Sequence, residues 1–234
     1  MLFGFFYGDW SFLILLPALI LTIGAQISVQ RAYRKYSGVR NIHGLTGEQA
    51  ARRILDANGL QQVRIEPISG VMTDHYDPRA NVIRLSEGVM NADSVAAVGI
   101  ASHEAGHAVQ HAVRYFPIRV RMAMVPVCNF GSQAAMPLFL IGLLLYNDLL
   151  MTIGILAYAT VTLFQLVTLP VEFNASHRAL VALEGSGYLS DSELRGARRV
   201  LRAAAMTYVA ALATSLLSLL RLLLIFSSGR GRRK

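Results

Sequence analysis

The sequence predicts a mainly α-helical membrane protein, with about four transmembrane helices and a small α+β domain. Three observations carry that expectation. Of 234 residues, 54% are hydrophobic and only 15% charged, against roughly one quarter charged in soluble domains. Apolar runs of about 20 residues, long enough to span a bilayer, recur along the chain. Between them lies a polar stretch whose patterning alternates between helix and strand, and which contains the histidine-rich segment ASHEAGHAVQH at residues 101–111.

The formal net charge of +8 raises nucleic acid as a partner. The basic residues flank apolar segments instead of forming one long run, which fits membrane orientation and leaves no nucleic-acid partner. The single cysteine, Cys128, excludes an intrachain disulfide.

Residues 1–30 read as an N-terminal transmembrane anchor. The apolar run begins at Phe12; no Lys or Arg precedes it, and Arg31, Arg34 and Lys35 follow. A cleaved signal peptide carries its positive charge in front, so the anchor is expected to be uncleaved, with its N-terminus outside. Cleavage after Ala25 would require a small residue where Ile23 stands.

Residues 31–121 form the polar domain. In GLTGEQAARRILDANGL, Thr46 and Gln49 have capping-box spacing and Gly59 stands at a helix stop. The stretch from Val63 to Ser86 is rich in β-branched residues around a YDPRAN turn signal, which predicts a hairpin or small sheet. An alanine-rich helix without proline follows, starting near Asp93 as N-cap.

Residues 122–171 read as a transmembrane hairpin turning at Asn147-Asp148. Its first half is softened by Pro126, Asn129, Ser132, Gln133 and Pro137, a place for a kink or an interfacial segment. Residues 172–202 are polar, with SGYLSDSELRGARRVLRAA reading as a loop, then a helix capped near Ser190 or Asp191. Residues 203–234 form a last transmembrane helix and a basic tail. Arg221 lies within that run, close enough to its end to snorkel.

On the predicted helix, His103 and His107 are four apart and share one face. That suits two imidazoles converging on one tetrahedral zinc. Glu104 is turned beside them, where it can act on water instead of metal. Ala105, Gly106, Ala108 and Val109 provide the small, apolar flank of a helix packed under a metal. The alternative is a pair of core or surface histidines beside an unrelated glutamate.

A third ligand is required. The continuation H-x-x-G-x-x-H is absent: Gln110 takes the glycine position and Val113 the last histidine position. His111 is one turn too early and rotated off the face of the pair, so it reads as a helix-surface or ligand-supporting histidine. Downstream, TLPVEFNASHRAL places Glu172 at the end of an apolar run, and His₂Glu is a catalytic zinc set. Asn174, Ser176 and His177 lie close by to orient ligands. The alternative for Glu172 is an interfacial carboxylate facing headgroups or pairing with Arg178.

Together, HEAGHAVQH, EFNAS and TDHYDPRANVIRLSEGV resemble the YugP-type neutral zinc metallopeptidases, bacterial membrane proteins of the gluzincin kind. The resemblance extends over nearly the whole chain. It implies one zinc per chain, His103, His107 and Glu172 as its ligands, Glu104 as general base, and a zincin-like domain over residues 31–121. EFNAS is also similar to the E-F-x-A-D stretch of a wider class of membrane zinc proteases. Ser176 replaces the aspartate of that pattern, and His177 stands where an arginine is expected.

If His107 and Glu172 meet at one ion, an odd number of crossings between them is excluded. Residues 122–171 are then two spans or none, and residues 31–121 and 172–202 share a side. Those two stretches hold 17 of the 22 Lys and Arg residues. The positive-inside rule then places them in the cytoplasm of a bacterial cell membrane. The opposite side has Asp9, Asp148 and the tail residues Arg230, Arg232, Arg233 and Lys234, which argue the other way. A metal next to the end of a span is expected near the bilayer surface. NVIRLS stands in the right order to offer an edge strand to a peptide. His75, Tyr76, Arg178 and Tyr208 are candidates to stabilise an oxyanion.

The leading expectation is a zinc endopeptidase acting on membrane-anchored or juxtamembrane polypeptides. A non-catalytic scaffold or adaptor with structural zinc is the alternative, although it has no use for Glu104. A metal transporter would want ionisable groups within its spans, and these have almost none.

Overall fold

The computed structural model describes residues 10–231, with side chains from Ser11 to Ser228. Asp9, Arg232, Arg233 and Lys234 lie outside the described residues, as does the Arg230 side chain. The fold is mainly helical with one small sheet. A 3₁₀ segment, Trp10–Leu15, runs into α1 (Leu16–Ser37). There follow α2 (Gly47–Ala57), β1 (Arg64–Ile68), β2 (His75–Asp77), β3 (Val82–Ser86), the single turn α3 (Glu87–Met90) and α4 (Val95–Ala112). Three long helices complete the chain: α5 (Phe116–Leu144), α6 (Asp148–Ser186) and α7 (Asp191–Gly231). Among the described residues, four helical segments are long and apolar enough to cross a membrane, by length and composition.

Local signals set most boundaries. The Thr46 hydroxyl accepts from the Gln49 N–H and the Gln49 side chain accepts from the Thr46 N–H, a complete capping box. Asn58 caps the other end of α2, and Gly59 follows at φ +71°, a conformation that a glycine adopts without Cβ strain. The N-cap of α4 is Ser94, one residue after the expected Asp93; its hydroxyl accepts from the Ala97 N–H. Asn147 caps α6 by accepting from the N–H groups of Leu149 and Leu150.

One element differs from expectation, and one carries prolines inside it. Helix α5 is continuous through Pro126 and Pro137, each of which removes one backbone donor. The element that differs is NVIRLS, which does not form an edge. The sheet order is β1-β3-β2, with β1 parallel and β2 antiparallel to β3. β3 is therefore central, and four of its five residues are buried.

The described chain divides into two compact units. One takes in the residues up to Gly24, Val120–Thr168 and those from Tyr208 onward. Here α5 and α6 pack antiparallel: a Cβ on Gly154 would lie 2.7 Å from the Phe139 backbone nitrogen. Phe139, Met151, Ile155, Leu222 and Ile225 form its apolar cluster, and the Thr162 and Ser215 hydroxyls are 2.7 Å apart.

The second unit comprises Ala25–Arg119 and Leu169–Thr207. One of its cores joins α2, the sheet and α4 through Leu55, Val63, Ile83, Leu85, Ala101 and Ala105. Another joins α4 to the C-terminal part of α6 and the start of α7 through Val98, Leu183, Leu194 and Ala197. Burying such side chains contributes roughly 25 cal/mol per Å² of apolar surface, and here it clamps α4 from both sides.

Candidate metal centre

Helix α4 carries His103, Glu104 and His107, and α6 carries Glu172. The two helices meet at a position set by glycine. A Cβ on Gly106 would lie 2.6 Å from the Ala175 carbonyl oxygen, so only a hydrogen at that position lets the backbones approach this far. Gly106 lies between the two histidines on the chain, and Ala175 between Glu172 and Ser176. The close approach therefore brings the histidine face of α4 against the carboxylate of α6.

The Nε2 atoms of His103 and His107 lie 3.3 and 3.5 Å from the same oxygen, Glu172 Oε2. One donor atom from each of the three residues falls within 4.8 Å of the others. A charge-assisted N–H···O bond is shorter, about 2.7–2.9 Å. Donors about 2.0–2.2 Å from one tetrahedral zinc stand about 3.3–3.5 Å apart. The donor set and its spacing therefore fit a metal better than an ion pair. Glu172 is 2% exposed, and a buried carboxylate needs compensating positive charge.

Burial by itself would lower the His107 pKa. The Glu172 and Glu104 carboxylates and the hydrogen bond His107 donates to the Gln110 amide oxygen outweigh it and raise the value above the ordinary imidazole value. The pocket thus favours a cation at this point.

Each ring is held from behind. His103 Nδ1 is 3.1 Å from the Ser176 hydroxyl, and His107 Nδ1 is 3.1 Å from Gln110 Oε1. Both rings thereby turn Nε2 towards Glu172. Glu104, also buried, accepts a 2.9 Å hydrogen bond on Oε2 from the Tyr76 backbone N–H. Tyr76 is the middle residue of β2 and pairs with Ile83; its N–H points away from β3. The strand beside Glu104 is thus β2.

The other candidate residues divide. Asn174 accepts from the Gln110 amide at 3.0 Å and from Arg178 Nε at 2.8 Å. The Tyr76 hydroxyl donates to Asn81 at 3.1 Å, within the hairpin. Burial, then the charge of Asp77, raises its pKa. The Nδ1 of His75 is 2.8 Å from the Thr73 carbonyl, and the ring is tied to the turn. His177 is exposed. Tyr208 belongs to the other unit. His111 presents its ring edge-on to Tyr76, with centroids 5.6 Å apart.

Two participants were not read from the sequence. In the sequence Gln110 stands only as the residue that interrupts a longer histidine pattern. Its signal was present: a polar side chain three residues after His107, on the same face of an otherwise apolar helix. The Tyr76 backbone N–H left no signal, because any residue there would supply it.

The chain matches the family described as "Putative neutral zinc metallopeptidase" over residues 11–227. It is 47% identical over 215 residues to the "Putative membrane protease YugP" of Bacillus subtilis (strain 168), covering 92% of this chain and 96% of that protein. No solved structure matches the chain.

Proposed function

Because this chain belongs to the neutral zinc metallopeptidase family, we propose that it is a membrane-integrated zinc endopeptidase of the gluzincin type. The observation that carries this reading is the convergence of two imidazole Nε2 atoms on one buried carboxylate oxygen, with Glu104 on the adjoining turn. His103, His107 and Glu172 hold one zinc. Zinc bound there supplies Lewis acidity, which acidifies water and polarises a carbonyl.

The remaining work belongs to side chains. The Tyr76 N–H fixes one oxygen of Glu104, and a carboxylate has a second. Glu104 takes a proton from the attacking water as its oxygen bonds to the peptide carbon. It then passes that proton to the amine nitrogen as the C–N bond breaks. Ser176 and Gln110 hold the two imidazoles in orientation, so that little reorganisation accompanies the reaction.

Glu172 follows the apolar run on one unbroken helix, which favours membrane-anchored or juxtamembrane polypeptides as substrates. The excess of Lys and Arg in residues 31–121 and 172–202 supports a cytoplasmic zinc domain.

The test is Glu104→Gln in the full-length chain. Zinc stays at about one per chain, while peptide cleavage falls by at least about 100-fold, as expected for loss of a general base. Unchanged cleavage rejects the role of Glu104. Bound zinc without any cleavage by the unaltered chain favours a structural zinc in a scaffold.

A further inference from the structure

Resting on the reading of His103, His107 and Glu172 as a zinc centre, we propose that Gln110 is a positioning residue for His107. It acts as a neutral amide clamp between the histidine helix and the carboxylate helix. Its side chain is wholly buried and makes three hydrogen bonds, one to each of three different partners. Its Nε2 donates to the Val171 carbonyl at 2.8 Å and to Asn174 Oδ1 at 3.0 Å. Its Oε1 stands 3.1 Å from His107 Nδ1.

Groups with only one hydrogen-bonding role determine the direction of every link. A backbone carbonyl can only accept, so the Gln110 atom facing Val171 is the amide nitrogen. Arg178 can only donate, and its Nε reaches Asn174 Oδ1 at 2.8 Å. The Asn174 oxygen therefore faces Gln110, and again only the amide nitrogen can meet it. The Gln110 oxygen is left for His107, which must carry its proton on Nδ1. His107 Nε2 then bears the lone pair and faces Glu172 Oε2. A metal requires that tautomer.

The clamp also joins the elements that carry the ligands. Gln110 is one turn beyond His107 on α4, whereas Val171 and Asn174 flank Glu172 on α6. A shift of one helix against the other would break Gln110's bonds to Val171 and Asn174 as well as the spacing between the imidazoles and Glu172. Glutamate at this position would put carboxylate oxygens against two acceptors, so the amide is the side chain that satisfies all three partners. The same network gives Arg178 a supporting part, with its Nε turned to Asn174.

The experiment measures zinc affinity by chelator competition on the detergent-solubilised full-length chain. It compares the wild type, Gln110→Leu, His107→Ala and the double variant, with Asn174→Ala as a milder change at a half-buried position. Gln110→Leu is expected to weaken zinc binding by about 10–100-fold. In the His107→Ala background, where no ring remains to orient, the same change costs less than about threefold. Asn174→Ala removes one of two acceptors for the amide and weakens binding by about 3–10-fold, which keeps the test available if leucine at 110 prevents folding. Affinity within about twofold of wild type in both folded variants overturns the proposal. So does an equal loss with and without His107, which would make Gln110 a packing residue only. A wild-type chain that retains no zinc overturns the metal-centre reading itself, and this proposal with it.

Discussion

His111 illustrates how position changes the chemistry of one residue type. It lies one turn beyond His107 and against Tyr76. Burial, and then the positive charge at His107, lower its pKa below the ordinary imidazole value. The folded state therefore favours neutral His111. Its contribution to stability is present above the unfolded pKa of about 6.5 and is lost as pH falls from there through the lower folded value. Histidine NMR is expected to show His111 neutral at pH 7, titrating below the usual range. The melting-temperature difference between wild type and His111→Gln is expected to shrink in that same acidic window; a difference constant with pH would reject the assignment. The candidate ligands were legible as individual residues, since HEAGH spacing and a glutamate at the end of an apolar run are both local facts. The direction of each imidazole was not legible, because Ser176 and Gln110 set it across or along helices whose packing no short window encodes.

At the scale of elements, the α4–α6 contact rests on Gly106. Alanine there gains up to about 1 kcal/mol in helix propensity. Against this, its methyl would meet the Ala175 carbonyl oxygen at 2.6 Å. That oxygen is backbone and cannot swing aside, and overpacking typically costs about 1–3 kcal/mol. Gly106→Ala is therefore expected to lower the melting temperature and weaken zinc binding about tenfold, as for other damage to ligand support. A stabilised variant with undiminished zinc affinity would show that the helices do not depend on this approach. Helix ends were largely readable from Thr46, Gln49 and Asn147, because caps act within three or four residues. The centrality of β3 was not. β1 reaches it as a parallel partner from outside the hairpin, and alternation within a strand says nothing of how many neighbours it has.

At the scale of the whole molecule, the requirement that His107 and Glu172 meet makes a topological prediction. With the two spans of residues 122–171 joined at Asn147, that turn is expected outside, and the Gly187–Ser190 connection is expected in the cytoplasm with the proposed zinc domain. Single cysteines introduced at Asn147 and at Gly187, in a Cys128→Ser chain, are expected to be labelled by an impermeant thiol reagent from opposite sides. Labelling of both from the same side would reject the hairpin crossing. Inverting the charges of Arg119 and Arg121 is expected to weaken the orientation preference, since short basic flanks bias insertion.

Taken alone, the sequence determined the class of the protein, the apolar runs, most helix starts, and three candidate metal donors. Each of these depends on composition or on spacing within a few turns. The tertiary structure decided which groups support those donors. Gly106 lets α4 reach α6, Gln110 and Ser176 turn the imidazoles, and the Tyr76 N–H holds Glu104. Those choices depend on backbones brought within ångströms of one another by residues that lie up to seventy-three positions apart, and only packing of the complete chain establishes such proximity.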